Sequence, residues 1–185
     1  ILSFFIFLFS YIFKSLFFLF AMGSKEKGEI KKLKKIEIDI SGQIQQINYD
    51  SAIGFRRDNG IEKSVYLRAK DKKEIIKKYK GQVTDLIEKL HCILIYYCIK
   101  DFLDNIGEIK ICKDVNFRRV KRLLPFLFKE KNYLSGIKIS QREGKEKKSS
   151  GHNIALRTFR RQKYADLIIK KEMIENVLFE FRKNQ

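Results

Sequence analysis

Three cysteines and two histidines are the first residues of this 185-residue chain to test for chemistry. Cys92, Cys98 and Cys112 form no Cys-x-x-Cys pair and leave one over. That spacing excludes a disulfide scaffold and a four-cysteine zinc site. They read instead as small buried hydrophobes in a reducing compartment. His91 and His152 are too far apart for a helical His-x-x-x-His ligand pair, and His91 lies amid apolar residues, as a core histidine does. No Gly-x-x-x-x-Gly-Lys-[Ser/Thr] loop is present, which argues against NTP hydrolysis. Cations are what the chain has in excess. Arg118, Arg119 and Arg122 form one run, Lys147 and Lys148 a second, and Arg157, Arg160 and Arg161 a third. Such runs suit phosphate, whose neutralisation supplies most non-specific affinity for nucleic acid. Phe117, Phe126 and Phe159 lie among them and could stack on bases, but helical spacing favours core packing for all three.

Forty Lys+Arg against 22 Asp+Glu give a net charge of +18. With 44% hydrophobic and 34% charged residues the composition is globular, and disorder throughout is excluded. The expected partner is a polyanion, nucleic acid above all, and the expected compartment is the cytoplasm. Residues 1–22 differ from the rest, being mostly Phe, Leu, Ile, Ser and Tyr with a single charge, Lys14. That length could span a bilayer. Met22-Gly23-Ser24-Lys25 looks like a natural start, so residues 1–21 are expected to be either spurious translation or a membrane anchor. Residues 22–31 form a basic linker, and 32–185 a single domain. A membrane partner follows only if residues 1–21 are expressed.

The elements that must position any site follow from periodicity. Leu33 to Ile40 alternates around Ile36, Ile38 and Ile40, the period-2 pattern of a strand. Ser51–Arg57 and 61–69 form a hairpin around Asp58-Asn59-Gly60. Asp71 can cap a helix through Lys80. Gln82 to Leu103 carries an apolar stripe at helical spacing and should pack deep. Glu108 to Cys112 is a short strand. A basic helix runs from Phe117 to Phe128, with Pro125 expected to end or kink it early. Ile137 to Ser140 is a fifth strand, 141–151 a polar loop, and 157–182 contains a final helix.

This order resembles the ribonuclease H-like fold, over about residues 32–180. The resemblance implies an α/β domain with a mixed five-stranded sheet, three antiparallel strands and then alternating helices and strands, flanked by helices. The acids fall where that superfamily places its metal ligands. Asp39 stands in the first strand as Asp39-Ile40-Ser41-Gly42, a loose version of the family's Asp-Gly-Ser. Glu88 lies early in the long helix, with Asp85, Asp101 or Asp104 as substitutes if the register differs. Asp114 follows the fourth strand. Asp166, in Tyr164-Ala165-Asp166-Leu167, is similar to the Ala-Asp that opens the family's last helix. Ser150-Gly151-His152 resembles the Gly-His loop that supplies an auxiliary histidine.

By that resemblance the expected activity is metal-dependent hydrolysis of phosphodiester bonds, with the RNA strand of an RNA–DNA hybrid as the nearest substrate match. Asp39, Glu88, Asp114 and Asp166 would hold two Mg²⁺ (or Mn²⁺) ions, and His152 would move a proton or help product leave. Two hard cations about 3.5–4 Å apart stabilise the attacking and leaving oxygens together, and carboxylates suit them. The main alternative is a basic nucleic-acid-binding domain with the same fold and no catalysis.

Overall fold

The computed structural model describes residues 34–104, 106–112, 116–131, 136–142 and 150–183. The expectations for residues 1–21, the basic linker 22–31, Asp114, Lys147 and Lys148 lie outside them.

The isoleucine alternation forms the central strand. In β1 (Lys34–Ser41), Ile36, Ile38 and Ile40 are buried on one face, while Glu37 and Asp39 point to the other. β2 (Ser51–Arg57) and β3 (Glu62–Leu67) make the expected hairpin, closed by hydrogen bonds between Arg57 and Ile61 and between Gly60 and Arg57. β1 pairs antiparallel with β2, and Asp39 stands opposite Gly54, which stands opposite Ser64 of β3. β4 (Ile106–Ile111) and β5 (Lys138–Gln141) extend the sheet in parallel from the other side of β1.

A sixth strand, β6 (Leu167–Ile169), lies parallel to β3, so the order is β5-β4-β1-β2-β3-β6. This corrects the expected five-stranded sheet. The apolar spacing from Tyr164 to Leu178 fits one helix, but Leu167-Ile168-Ile169 has the outer edge of β3 available. The hydrogen bonds of a sheet edge outweigh local helical spacing over three residues.

The helices sort onto two faces. α1 (Ala69–Tyr79) begins after Arg68, with Asp71 in its first turn. Its capping acceptor comes instead from Asp50, whose Oδ1 accepts from the Ala69 amide at 2.7 Å. α2 (Leu86–Ile99) is buried nearly all round. α3 (Phe117–Leu123) is capped by the Asn116 side chain, and a 3-10 segment follows over Leu124–Lys131, beginning one residue before Pro125. α5 (Lys171–Lys183) closes the domain. Residues of α1, α2, α3 and α5 join Ile36, Ile38, Ile40, Ile53 and Phe55 in one core. α4 (Ser150–Arg160) lies on the opposite face, against β1, β2 and β3. Among the described residues, no helix is long and apolar enough to cross a membrane.

Candidate functional site

The face that carries Asp39 is covered by α4, and two glycines set how closely. A Cβ on Gly151 would lie 2.7 Å from the Glu37 carbonyl oxygen and 2.8 Å from that of Gly54. One on Gly54 would lie 2.6 Å from the Ala155 amide nitrogen. Backbone therefore rests on backbone, and the first turn of α4 settles onto β1 beside Asp39.

The consequence is a compact polar group. Asp39 is 4% exposed. Its Oδ1 accepts from the Ile40 amide at 2.8 Å, and its Oδ2 lies 3.3 Å from His152 Nδ1. Arg142 Nη1 lies 3.9 Å from the same oxygen, an ion-pair contact too long for a hydrogen bond. Arg142 reaches this point because its amide donates to the Ile111 carbonyl at 3.0 Å, which fastens the end of β5 to the end of β4. The group sits toward the carboxyl ends of the parallel strands β1, β4 and β5, where open sheets with parallel strands commonly bind ligands.

Asp39 and His152, both candidates from the sequence, are thus brought together. His152 belongs to the first turn of a helix, whereas the Gly-His resemblance implied a loop. Arg142 has no sequence signal of its own, since only the β4–β5 register brings it to Asp39.

The remaining candidates are placed elsewhere. Asp166 precedes β6 and does not open a helix. Its Oδ2 accepts from the Ser64 amide at 2.7 Å and the Ser64 hydroxyl at 3.1 Å. Ser64 is two strands from Asp39, or about 10 Å at ordinary strand spacing. Asp166 therefore ties β6 and the segment before it to β3. Glu88 occupies the first turn of α2, 3.4 Å from Arg119 Nη1. Asp85, just before that turn, pairs with Arg119 at 2.8 Å and Arg122 at 2.9 Å. Two of the three arginines of α3 are thus engaged with acids of α2, leaving Arg118 exposed without such a pair among the described residues. Arg157 pairs with Glu62 at 2.9 Å, while Arg160 and Arg161 are exposed beyond it.

A second polar group lies near the same end of the sheet, under α1. Lys72 Nζ donates to Ser51 Oγ at 2.7 Å and to the Gln43 carbonyl at 3.3 Å, and the Tyr66 hydroxyl donates to Asp50. Burial pushes Lys72 down to about 8, and burial together with the Asp50 hydrogen bond pushes Tyr66 up to about 12. A Ser–Lys pair can form a nucleophile, but Ser51 and Lys72 are both 0% exposed. No substrate atom reaches them, and the group acts as a clamp on the β1–β2 turn.

The Asp39 carboxylate is the kind of ligand a hard cation takes, whereas the His152 imidazole, 3.3 Å from its Oδ2, is a softer donor suited to proton transfer. Among the described residues, no group of three or more His, Cys, Asp or Glu could hold a metal. A second ion would depend on Asp114. Comparison with models of known protein families and with curated proteins finds no match.

Proposed function

We propose that the protein is a divalent-metal-dependent nuclease with a ribonuclease H-like fold, acting on the RNA strand of RNA–DNA hybrids. The observation that carries this reading is the buried Asp39 on the central strand, 3.3 Å from His152 on a helix seated against that strand. The architecture supports it as well. Three antiparallel strands are followed by two strands parallel to the first, with helices between. Mg²⁺ or Mn²⁺ on the Asp39 carboxylate, with Asp114 of the sequence as the further carboxylate, would supply an activated water and a stabilised leaving oxygen. The chain's own contributions are then distinct. Asp39 orients the imidazole through Nδ1, and His152 moves a proton or helps product leave. Arg142, 3.9 Å from Asp39, would hold the scissile phosphate by charge-assisted hydrogen bonds. The exposed arginines of α4 hold the flanking backbone.

One observation favours the alternative of a binding domain without catalysis. Asp39 already faces the Arg142 guanidinium and the His152 imidazole, which can partner it without a metal. The experiment that separates the readings uses the full chain with end-labelled RNA–DNA hybrid, duplex DNA and single strands, in Mg²⁺, Mn²⁺ or EDTA. A nuclease cleaves only with metal, and Asp39→Asn lowers the rate by about 100-fold or more. Equal, EDTA-resistant binding by both proteins without cleavage would leave the binding domain.

A further inference from the structure

Tyr164 is a large ring left 38% exposed on a rigid mount. It ends the 3-10 turn Gln162–Tyr164 between α4 and β6. Its amide donates to the Arg161 carbonyl at 3.0 Å, and its own carbonyl accepts from Ser64 Oγ at 3.0 Å. Two residues on, Asp166 receives both the amide and the hydroxyl of Ser64. The backbone beneath the ring is therefore fixed to the sheet. Two cations cover the ring, Arg157 at 5.4 Å and Lys163 at 5.4 Å from its centroid. Both are exposed and on long side chains, and Arg160 and Arg161 are exposed beside them.

We infer that Tyr164 and Arg157 form a stacking platform for an unpaired nucleobase, so that the bound nucleic acid carries an unpaired nucleotide beside any paired region. This rests on the nucleic-acid reading above and adds the form of the strand. A cation over an exposed ring is a weaker contact than a base stacked on it. An arriving base therefore displaces one cation, and the guanidinium it moves aside can cover its other face or take a phosphate. Ser64, which holds the ring's backbone, lies about 10 Å across the sheet from Asp39. A paired duplex keeps its bases inside the stack and cannot offer that face to Tyr164.

The test is binding by the full chain in EDTA, with an oligonucleotide of about 12 nucleotides. It carries one 2-aminopurine, whose fluorescence falls on stacking, and is used alone or annealed to its complement. Tyr164→Ala should weaken single-strand binding about tenfold and abolish the fluorescence change, while duplex affinity stays within about twofold. Tyr164→Phe keeps the ring and should retain both signals, which separates stacking from loss of fold. An unchanged Tyr164→Ala protein, or one weakened equally for both forms, would overturn the platform while leaving the nucleic-acid reading intact. Wild-type protein that binds neither form would overturn both. Selective loss in Tyr164→Ala by a protein that cleaves nothing supports the platform and removes only catalysis.

Discussion

His91 is 1% exposed, and neither ring nitrogen has a hydrogen-bond partner among the described residues. Burial pushes it down to about 4 from an ordinary 6.5. The unfolded chain takes up a proton as pH falls through 6.5, and the folded one does not until about 4. The stability this group contributes is thus full above 6.5 and lost as pH falls through 4, on the order of 3 kcal/mol. His91→Leu should flatten that acid limb, as urea midpoints between pH 7 and 4 would read. Lys72 works at the other end of the scale. Its folded value of about 8 lies below the ordinary 10.5, so its contribution is full above 10.5 and lost as pH falls through 8. Stability should rise between pH 8 and 10, and Lys72→Met should remove the rise. Tyr66, raised to about 12 from 10, titrates above that window. Its contribution is full below 10 and lost as pH climbs through 12. Asp39 was legible in the sequence because isoleucines on either side force it to the opposite face of β1. Arg142 was not, because no local pattern announces a contact made by the pairing of β4 with β5.

At the scale of elements, α4 is held by close approach. Gly151→Ala would gain about 1 kcal/mol of helix propensity but set a methyl against two backbone oxygens that cannot move aside. Overpacking of this kind costs about 1–3 kcal/mol. The net expectation is a lower melting temperature and a loss of any metal-dependent cleavage, both measured beside Asn153→Ala. Asn153 is exposed on the same helix and should be neutral. The hairpin and α1 to α3 were legible from periodicity and turn residues, as was an early end of the α3 helix near Pro125, though not the 3-10 segment that follows. The stretch after α4 was not. Tyr164, Leu167, Ile168, Met173, Ile174 and Leu178 satisfy a helical stripe, yet the chain spends its first part as a turn and a three-residue strand. A strand so short has no period to detect, and it exists only because β3 presents an open edge. Asp166 was misplaced for the same reason.

For the whole molecule, the net charge of +18 sets the salt dependence of any binding. Each phosphate neutralised on a single strand contributes about −0.7 to the slope of log K against log salt. Arg160→Gln and Arg161→Gln should each flatten that slope by about this amount. Arg122→Gln should change it less, because Arg122 is held by Asp85. Affinities measured between 50 and 200 mM salt would decide this. Charge runs in the sequence reveal the total but not which cations have acids beside them. That distribution depends on how α3 packs on α2.

At Gly54 and Gly151 helix and sheet backbones meet directly, with the Ile154 side chain packed beside them. A cushioned helix can slide or tilt while side chains change rotamer beneath it; the first turn of α4 has no such suspension. Any displacement of the helix is passed undamped to His152, so the 3.3 Å gap to Asp39 works as a gauge of how fully α4 is seated. Tolerance to substitution should therefore be lowest along the buried side of α4 and rise steeply across its width.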